Sequence, residues 1–311
     1  MKASLVDMLV CPQCQKALKL DVDVKDTDSG EIVEGSLTCK SCSSRFPIAG
    51  GIPRMVEGFG YQNAISRSFG FQWRSRGKRL FEGKTLYGGS VGQEVSQFLN
   101  RLGLHRDDLK GKRVLDAGCG SGRLVRALSA YGCDVVGVDL TDLEWAYAFN
   151  REFPNAHIVQ GDIFQLPFAQ ETFDIVWSEG VIHHTPDPKK AFRCLGQVLK
   201  PRGMCYVWVY ARSPQARVRR WLKTPRWPRS LLFMLSYLMV IPYALMQALR
   251  ILVRFRSTAF SFFDALSPTY QSAHQWQEMQ AWFEEDAFSD IRVAEDRQPF
   301  WLAVWGVGRK R

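Results

Sequence analysis

The sequence predicts an α/β protein whose main domain is a doubly wound, mostly parallel sheet. Strand-like and helix-like segments alternate from Lys112 to Tyr210, which is typical of parallel strands joined by crossover helices. The first strand-to-helix turn lies within Val114–Arg123 and contains an acidic residue and three alternating glycines. Two Cys-x-x-Cys pairs near the N-terminus predict an additional small domain that binds a metal ion.

Length and charge limit the classes to which the chain can belong. Its 311 residues are enough for one substantial core plus a small module or a large insertion. The net charge of +10 is local, because Ala211–Arg256 contains ten basic and no acidic residues while the remainder has 31 of each. The remainder therefore has no general basic excess of the kind that binds nucleic acid. Met1–Val10 lacks the long apolar core of a secretory signal, which predicts a cytoplasmic protein.

The two cysteine pairs predict a structural metal site. Its four candidate ligands are Cys11, Cys14, Cys39 and Cys42. Two such pairs complete a closed tetrahedral thiolate shell, which suits structural zinc and leaves no open position for catalysis. A redox role is less favoured, because a redox Cys-x-x-Cys normally stands alone beside a βαβ unit. Two strand-like runs, Leu18–Val24 and Ile32–Thr38, lie between the pairs.

The stretch that follows the second pair carries a family resemblance. Together with the cysteines, Arg45–Pro53 resembles the zinc-ribbon domain of the small activator subunit that partners several tRNA and translation-factor methyltransferases. The resemblance implies that residues 1–56 form a zinc ribbon that supports a methyltransferase and performs no chemistry itself.

Residues 57–110 are rich in aromatic side chains and are predicted to form a lid or linker followed by a helix from Val91 to Leu102. Phe69–Trp73 is the candidate lid over a cofactor. The alternative is that these aromatic residues pack the ribbon onto the main domain.

The glycines at 118, 120 and 122 predict a nucleotide-type site. Glycine lets the backbone approach a ligand closely and permits positive φ. A dinucleotide site would have its third glycine at position 123, where this chain has Arg123. The pattern resembles motif I of the class I S-adenosylmethionine-dependent methyltransferases. The resemblance implies a Rossmann-like, seven-stranded sheet within residues 111–311.

The predicted elements follow in order along this domain. Strands are expected at Lys112–Ala117, Asp134–Asp139, Ala156–Gln160, Phe173–Ser178, Met204–Tyr210, Ile291–Asp296 and Phe300–Arg309. Helices are expected at Ser121–Tyr131, Thr141–Arg151, Asp187–Lys200 and His274–Asp286. Thr141 and Glu144 are expected to form a capping box. The last two strands match the antiparallel hairpin that usually completes this family's sheet.

The resemblance extends from about Lys110 to Tyr210 through four ordered motifs: Asp116–Gly122, Asp139, Asp162 and Phe173–Ser178. This resemblance implies a role for several residues. A carboxylate at Asp139 accepts hydrogen bonds from both ribose hydroxyls, and Asp116 contacts the amino-acid moiety directly or through water. Asp162 meets the adenine amino group, and Ile163 packs on the ring. The full set of candidate cofactor-binding residues is Asp116, Gly118, Cys119, Gly120, Gly122, Asp139, Leu140, Asp162, Ile163 and Ser178.

The segment after the fourth strand supplies the candidate catalytic residues Glu179, His183 and His184. A methyltransferase mainly aligns the acceptor and, where required, removes its proton, a task that suits a histidine near pH 7. The two adjacent histidines are not expected to face the pocket together. The alternative is that a histidine packs over the cofactor or caps the helix after Pro186.

The insertion at residues 211–266 is predicted to form a helical cap over the acceptor. Its centre, Leu231–Leu249, is 19 residues without a charge, flanked by basic clusters. Three alternatives are open: a membrane-facing or lipid-acceptor cap, a buried cap, or a true membrane span. Arg217–Arg229, which includes two tryptophans, is also suited to nucleic-acid phosphates.

The sequence therefore predicts an S-adenosylmethionine-dependent methyltransferase that contains structural zinc and acts on an amphipathic small-molecule or lipid-linked acceptor. Membrane-surface contact is expected through residues 211–256, so the cytoplasmic protein is expected to be capable of membrane association. Two alternatives are an RNA methyltransferase whose ribbon and basic insertion grip RNA, and a non-catalytic, cofactor-binding adaptor. The oligomeric state is not predicted.

Overall fold

The structure is a computed structural model that describes residues 1–56, 91–212, 231, 234, 269–297 and 302–311. The candidate lid Phe69–Trp73 and the cluster Arg217–Arg229 lie outside the described residues. So does the uncharged segment Leu231–Leu249, apart from its residues 231 and 234. No helix among the described residues is long and apolar enough to cross a membrane.

The N-terminal ribbon is a short antiparallel meander that follows a 3-10 helix at Ala3–Met8. Its strands are β1 (Leu18–Lys25), β2 (Ile32–Cys39), β3 (Arg45–Ala49) and β4 (Ile52–Met55). Each strand pairs with the next in antiparallel register. The two strands predicted between the cysteine pairs are confirmed, and β2 ends at the first cysteine of the second pair.

Helices and strands alternate through the second unit, as predicted. The described helices are α1 (Val91–Leu102), α2 (Arg123–Ser129), α3 (Glu144–Asn150), α4 (Pro188–Gln197) and α5 (Trp276–Glu285). The strands are β5 (Arg113–Ala117), β6 (Asp134–Asp139), β7 (Ala156–Gly161), β8 (Phe173–Glu179), β9 (Leu199–Tyr210), β10 (Phe288–Arg297) and β11 (Leu302–Lys310).

The seven strands of this unit lie in the order β7-β6-β5-β8-β9-β11-β10. The first five are mutually parallel, and β11 and β10 add the antiparallel hairpin. This is the doubly wound, mostly parallel fold class that the sequence predicts. The order reverses direction at β5, so a crevice opens beyond the carboxyl ends of β5, β6 and β8, where ligands of such sheets bind.

The ribbon continues the sheet of the second unit, which the sequence did not predict. β4 pairs in parallel with β7 through Arg54 opposite Gln160 and Met55 opposite Gly161. All eleven strands therefore form one sheet, with the ribbon at the β7 edge. This pairing covers backbone groups that an open edge strand would expose.

Local deviations from the sequence prediction have clear physical causes. The predicted capping box of Thr141 and Glu144 is wrong: α3 begins at Glu144 itself, with Leu143 at the N-cap position. The Thr141 hydroxyl instead donates to the Asp139 carboxylate at 2.8 Å. The helix predicted to reach Lys200 ends at Gln197, because β9 starts at Leu199.

Candidate active site and metal centre

The glycine turn joins β5 to α2 with a backbone that only glycine adopts without strain. The φ angles of Gly118, Gly120 and Gly122 are 87°, 51° and 73°. A Cβ atom at Gly118 would lie 2.2 Å from Val181 Cγ2, so the turn packs tightly against the chain that follows β8. The Gly118 amide donates to the Val138 carbonyl at 2.7 Å, which fixes the turn against the end of β6.

Asp139 is the last residue of β6, and its carboxylate points at the glycine turn. Asp139 Oδ2 accepts a hydrogen bond from the Gly120 amide at 2.9 Å. Asp139 Oδ1 accepts from the amide and the hydroxyl of Thr141 at 2.9 and 2.8 Å. The carboxylate is thus held at the crevice in one orientation, suited to accept hydrogen bonds from a diol.

Asp116, at the end of β5, places a buried acidic group beside the turn. Asp116 is 6% exposed, and desolvation together with neighbouring charges, rather than hydrogen bonds, sets the environment of its carboxyl group. Burial raises the pKa of this carboxyl well above its usual range, and the negative charges of Asp139, Glu179 and Glu94 raise it further. A buried carboxylate in this state is stabilised by a cation, so the site is chemically suited to a positively charged ligand.

Glu179, the last residue of β8, is accessible from the crevice although protein surrounds it. Desolvation and the neighbouring charge of Glu94 raise its pKa to about 7, against the opposing effects of Arg101 and of hydrogen bonds from Trp177 and Gln97. The Gln97 amide nitrogen lies 3.0 Å from Glu179 Oε1. This carboxyl therefore changes charge near neutral pH.

The two histidines occupy different environments, as the sequence argument anticipated for adjacent residues. His183 has no exposed surface, and its ring packs against the rings of His184 and Tyr210 at centroid distances of 4.0 and 4.2 Å. His183 is therefore enclosed in a cluster of aromatic rings, and its catalytic role stays a prediction.

His184 is 4% exposed and lies in the 3-10 turn that follows β8. Its Nδ1 atom is 3.1 Å from the Tyr270 carbonyl oxygen. Because a carbonyl only accepts hydrogen bonds, Nδ1 carries the proton in this contact, and Nε2 is the proton-accepting nitrogen of the neutral ring.

Three predicted cofactor residues, Ser178, Cys119 and Leu140, make contacts within the protein. The Ser178 hydroxyl, fully buried, donates to the Ala117 carbonyl at 3.0 Å and so ties β8 to β5. Cys119 packs its sulfur beside Gly137, where an added Cβ would lie 2.9 Å away. The Leu140 carbonyl accepts from Gln160 Nε2 at 3.2 Å. The cofactor-binding roles of Ser178, Cys119 and Leu140 stay predictions.

Asp162 and Ile163 follow β7 at the same edge of the sheet. Asp162 is 4% exposed, and its Oδ1 accepts from the Phe164 amide at 2.9 Å, which fixes the turn. Ile163 is half-buried and packs against the core. Their proposed adenine contacts stay predictions.

The four cysteines of the ribbon converge as predicted. The sulfur atoms of Cys11, Cys14, Cys39 and Cys42 all lie within 4.8 Å of one another. The closest pairs, Cys11 with Cys42 and Cys14 with Cys39, are 3.5 Å apart. A tetrahedral zinc site with Zn–S bonds of about 2.3 Å requires sulfur separations of roughly 3.8 Å. The donor set therefore fits zinc, and these four residues would hold the ion.

The comparisons with known families agree with this division of the chain. Residues 2–51 match the Trm112p-like protein family, and residues 115–207 match the methyltransferase domain family. Residues 115–207 are therefore similar to a methyltransferase domain. The matched range includes the glycine turn, Asp139, Asp162 and the strand that ends at Glu179.

The curated relatives resemble this methyltransferase domain over a limited length. The sterol 24-C-methyltransferase of Schizosaccharomyces pombe is 30% identical over 157 residues, which is 48% of this chain and 39% of the relative. The chain spans about half or less of the length of the curated relatives it matches.

Solved structures share the fold at low sequence identity. One is a complex that contains the Haloferax volcanii Trm112 methyltransferase activator, with a TM-score of 0.50, 17% identity and coverage of 79% of this chain and 96% of the matched chain. Another is the 1,6-didemethyltoxoflavin-N1-methyltransferase of Burkholderia thailandensis with bound S-adenosylhomocysteine. Its TM-score is 0.51 at 14% identity, and the match covers 93% of this chain and 99% of that one.

Two residues near Glu179, Glu94 and Gln97, were not among the site residues predicted from the sequence. In α1, Gln97 donates a hydrogen bond to Glu179, the charge of Glu94 raises the pKa of Glu179, and Arg123 Nη2 pairs with Glu94 Oε1 at 2.6 Å. Helical spacing could have identified Glu94, because it lies one turn from the buried Phe98 and therefore on the inner face of α1. The sequence predicts this helix but has no recognisable motif that marks Glu94 or Gln97 as part of the site.

Proposed function

We propose that the chain is an S-adenosylmethionine-dependent methyltransferase that acts on an amphipathic small-molecule or lipid-linked acceptor. The observation that carries the proposal is the Asp139 carboxylate, held at the glycine turn by the Gly120 amide and by Thr141. A carboxylate in this position suits a free ribose diol and repels a phosphate on that ribose, and the lack of a third dinucleotide glycine at position 123 favours S-adenosylmethionine over NAD.

Charge supports the same cofactor. Asp116, Glu94 and Glu179 gather negative charge around the turn, and each has a raised pKa through burial. S-adenosylmethionine is cationic at its sulfonium and ammonium groups, so bound cofactor would favour the ionised forms of these carboxyls. The related fold with bound S-adenosylhomocysteine is consistent with this assignment.

Each part of the site has a separate role in binding. Asp139 would hold the ribose hydroxyls, and Asp116 would lie near the amino-acid moiety. Asp162 and Ile163 would contact the adenine, while the backbone of Gly118–Gly122 lets the cofactor approach the sheet closely. When bound, S-adenosylmethionine supplies an activated methyl group on a positively charged sulfur.

Glu179 and His184 are the candidates to receive a proton from the acceptor. Glu179 is accessible from the crevice and has a pKa of about 7, which matches the requirement for a general base at neutral pH. His184 presents Nε2 as its proton-accepting atom while the Tyr270 carbonyl orients the ring. We assign the base to Glu179 because His184 is almost completely buried.

The acceptor class rests on the basic insertion and on one relative. The charge excess of the chain lies in residues 211–256, on both sides of an uncharged apolar segment. Such a segment suits the surface of an anionic membrane. The sterol named for the Schizosaccharomyces pombe relative also has an apolar body. We therefore propose a lipid-like acceptor and contact with a membrane surface through residues 211–256.

The test is transfer of a labelled methyl group from S-adenosylmethionine to separated lipid, RNA and small-molecule extracts of the source cells. The proposal expects label in an apolar or amphipathic product, identified by mass spectrometry, and no label with Asp139→Ala. Label in RNA that disappears on nuclease treatment would instead establish an RNA methyltransferase. Cofactor binding without transfer to any extract would favour a non-catalytic adaptor.

A further inference from the structure

We infer that Arg54 of the ribbon and Gln160 of β7 are positioning residues for the cofactor-binding loop that follows β6. The inference rests on the proposed function, because it concerns how that loop presents Asp139 to S-adenosylmethionine. It makes the ribbon part of the cofactor site, in addition to its place at the edge of the sheet.

Arg54 is the ribbon residue that reaches the loop. It stands opposite Gln160 in the parallel pairing of β4 with β7. Arg54 Nη1 donates to Gln160 Oε1 at 3.3 Å, and Arg54 Nη2 binds Glu144 Oε1, in the first turn of α3, at 2.8 Å. The forked guanidinium thus holds both sides of the segment that runs from Asp139 to α3.

Gln160 carries this contact to the loop backbone. Its Nε2 atom donates to the carbonyl oxygens of Leu140 and Thr141, each at 3.2 Å. The amide orientation follows from its partners, because a guanidinium only donates and a carbonyl only accepts. The side-chain oxygen of Gln160 must therefore face Arg54, and its nitrogen must face the loop.

The loop in turn fixes the carboxylate that the proposed function assigns to ribose. The Thr141 amide and hydroxyl both donate to Asp139 Oδ1, and the Gly120 amide donates to Oδ2. A continuous set of hydrogen bonds therefore runs from Arg54 through Gln160 and Thr141 to Asp139. Its loss should weaken cofactor binding by letting the carboxylate leave its binding orientation.

A second ribbon contact provides a matched control. Arg151 Nη2 pairs with Asp26 Oδ2 at 3.2 Å, just beyond the C-terminal end of α3, and Arg151 makes no contact with the 139–143 loop among the described residues. Arg151→Met and Arg54→Met each remove one arginine that bridges the ribbon to α3. Only Arg54→Met breaks the route to Asp139.

The experiment is isothermal titration of the full-length, metal-loaded chain with S-adenosylmethionine, for wild type and for four variants. The proposal expects Arg54→Met and Gln160→Glu to weaken binding about tenfold, the size of one charge-assisted hydrogen bond. Arg54→Lys should show an intermediate loss, because an ammonium does not reproduce the fork. Arg151→Met should bind as wild type does.

Gln160→Glu separates positioning from attachment of the ribbon. A glutamate keeps an acceptor for Arg54 but presents an acceptor oxygen to the two loop carbonyls, so the attachment survives while the loop contact is lost. The double variant Arg54→Met/Gln160→Glu should weaken binding by much less than the product of the single effects, since both act through one route. The KM for S-adenosylmethionine should rise while kcat at saturation changes by less than about twofold.

The inference and the proposed function fail differently. If wild type does not bind S-adenosylmethionine, the proposed function fails and the inference with it. If wild type binds while Arg54→Met and Gln160→Glu retain wild-type affinity, the inference alone is overturned. It is also overturned if Arg151→Met weakens binding as much as Arg54→Met does, because the effect would then reflect general loss of ribbon contact.

Discussion

Single carboxyl groups give the crevice its chemical character. Asp116 is buried at the end of β5 with a strongly raised pKa, and Glu179 titrates near neutrality at the end of β8. Burying either group as an ionised carboxylate lowers the stability of the folded protein, whereas burying a neutral side chain costs less. Residues that cost stability and also converge on one crevice indicate a binding function, and here they indicate a cationic ligand.

The raised pKa of Glu179 predicts a pH dependence. A carboxyl with a pKa of about 7 is ionised above that pH, so a reaction that needs its carboxylate should speed up as the pH rises through about 7. Glu179→Gln should remove this rise and lower kcat/KM by about a hundredfold. Glu94→Gln should move the rise to lower pH, because it removes a neighbouring negative charge. The measurement is kcat/KM against pH, and an unchanged profile in Glu179→Gln would exclude Glu179 as the base.

Gly118 predicts a sharp effect of one added methyl group. In Gly118→Ala the new Cβ would meet Val181 Cγ2 at 2.2 Å, and the φ of 87° adds strain. Gly132→Ala is the control, since its φ is 83° but the nearest atom to the new Cβ is 3.9 Å away. Both variants should lose about 1–2 kcal/mol from backbone strain, measured by urea unfolding. Gly118→Ala alone should also weaken S-adenosylmethionine binding by at least about tenfold; equal affinities in the two variants would contradict this account of the turn.

Elements of the methyltransferase domain follow closely from sequence, because its turns carry strong signals. The predicted bounds of β6 and α1 are those observed, Asp134–Asp139 and Val91–Leu102. Thr141 was misassigned as a helix cap because its hydroxyl has a nearer, charged acceptor in Asp139. Capping preferences consider only the helix, whereas here the Thr141 hydroxyl hydrogen-bonds within the loop that precedes the helix.

The ribbon predicts a metal-dependent element. Cys39→Ser should abolish stoichiometric zinc and lower the free energy of unfolding by on the order of 4–5 kcal/mol, as loss of a structural metal typically does. Cys194→Ser is the control, because Cys194 lies outside the cluster of four sulfur atoms. Elemental analysis and thermal unfolding of both variants provide the measurements. A wild-type protein without zinc, or a Cys39→Ser variant as stable as Cys194→Ser, would contradict a structural zinc site.

At the scale of the whole molecule, the two units share one sheet. The doubly wound, mostly parallel class of the sheet formed by β5 to β11 was predictable, because alternating strands and helices and the glycine turn indicate it. The junction was not predictable, because pairing of β4 with β7 depends on backbone groups rather than on a side-chain pattern. For the same reason, no sequence motif predicts the contacts of Arg54 and Gln160, although these contacts connect the ribbon to the loop that holds Asp139.

In the proposed function, the acceptor is governed by a different part of the molecule from the cofactor. The crevice beyond β5, β6 and β8 explains cofactor choice through its carboxylates. The basic excess of residues 211–256 bears on the proposed acceptor, and within this range the structure describes residues 211, 212, 231 and 234. Transfer of a labelled methyl group therefore tests the acceptor class, while calorimetric binding of S-adenosylmethionine tests the cofactor.

The most direct test of the central claim is calorimetric titration of the full-length, zinc-loaded chain with S-adenosylmethionine and, separately, with NAD. The account predicts saturable binding of S-adenosylmethionine and none of NAD. Asp139→Ala should weaken binding by at least about tenfold, while Asp107→Ala, at an exposed aspartate that precedes β5, should leave it within about twofold. Failure of the wild-type protein to bind S-adenosylmethionine, or wild-type affinity in Asp139→Ala, would contradict the assignment of the glycine turn and Asp139 as the cofactor site.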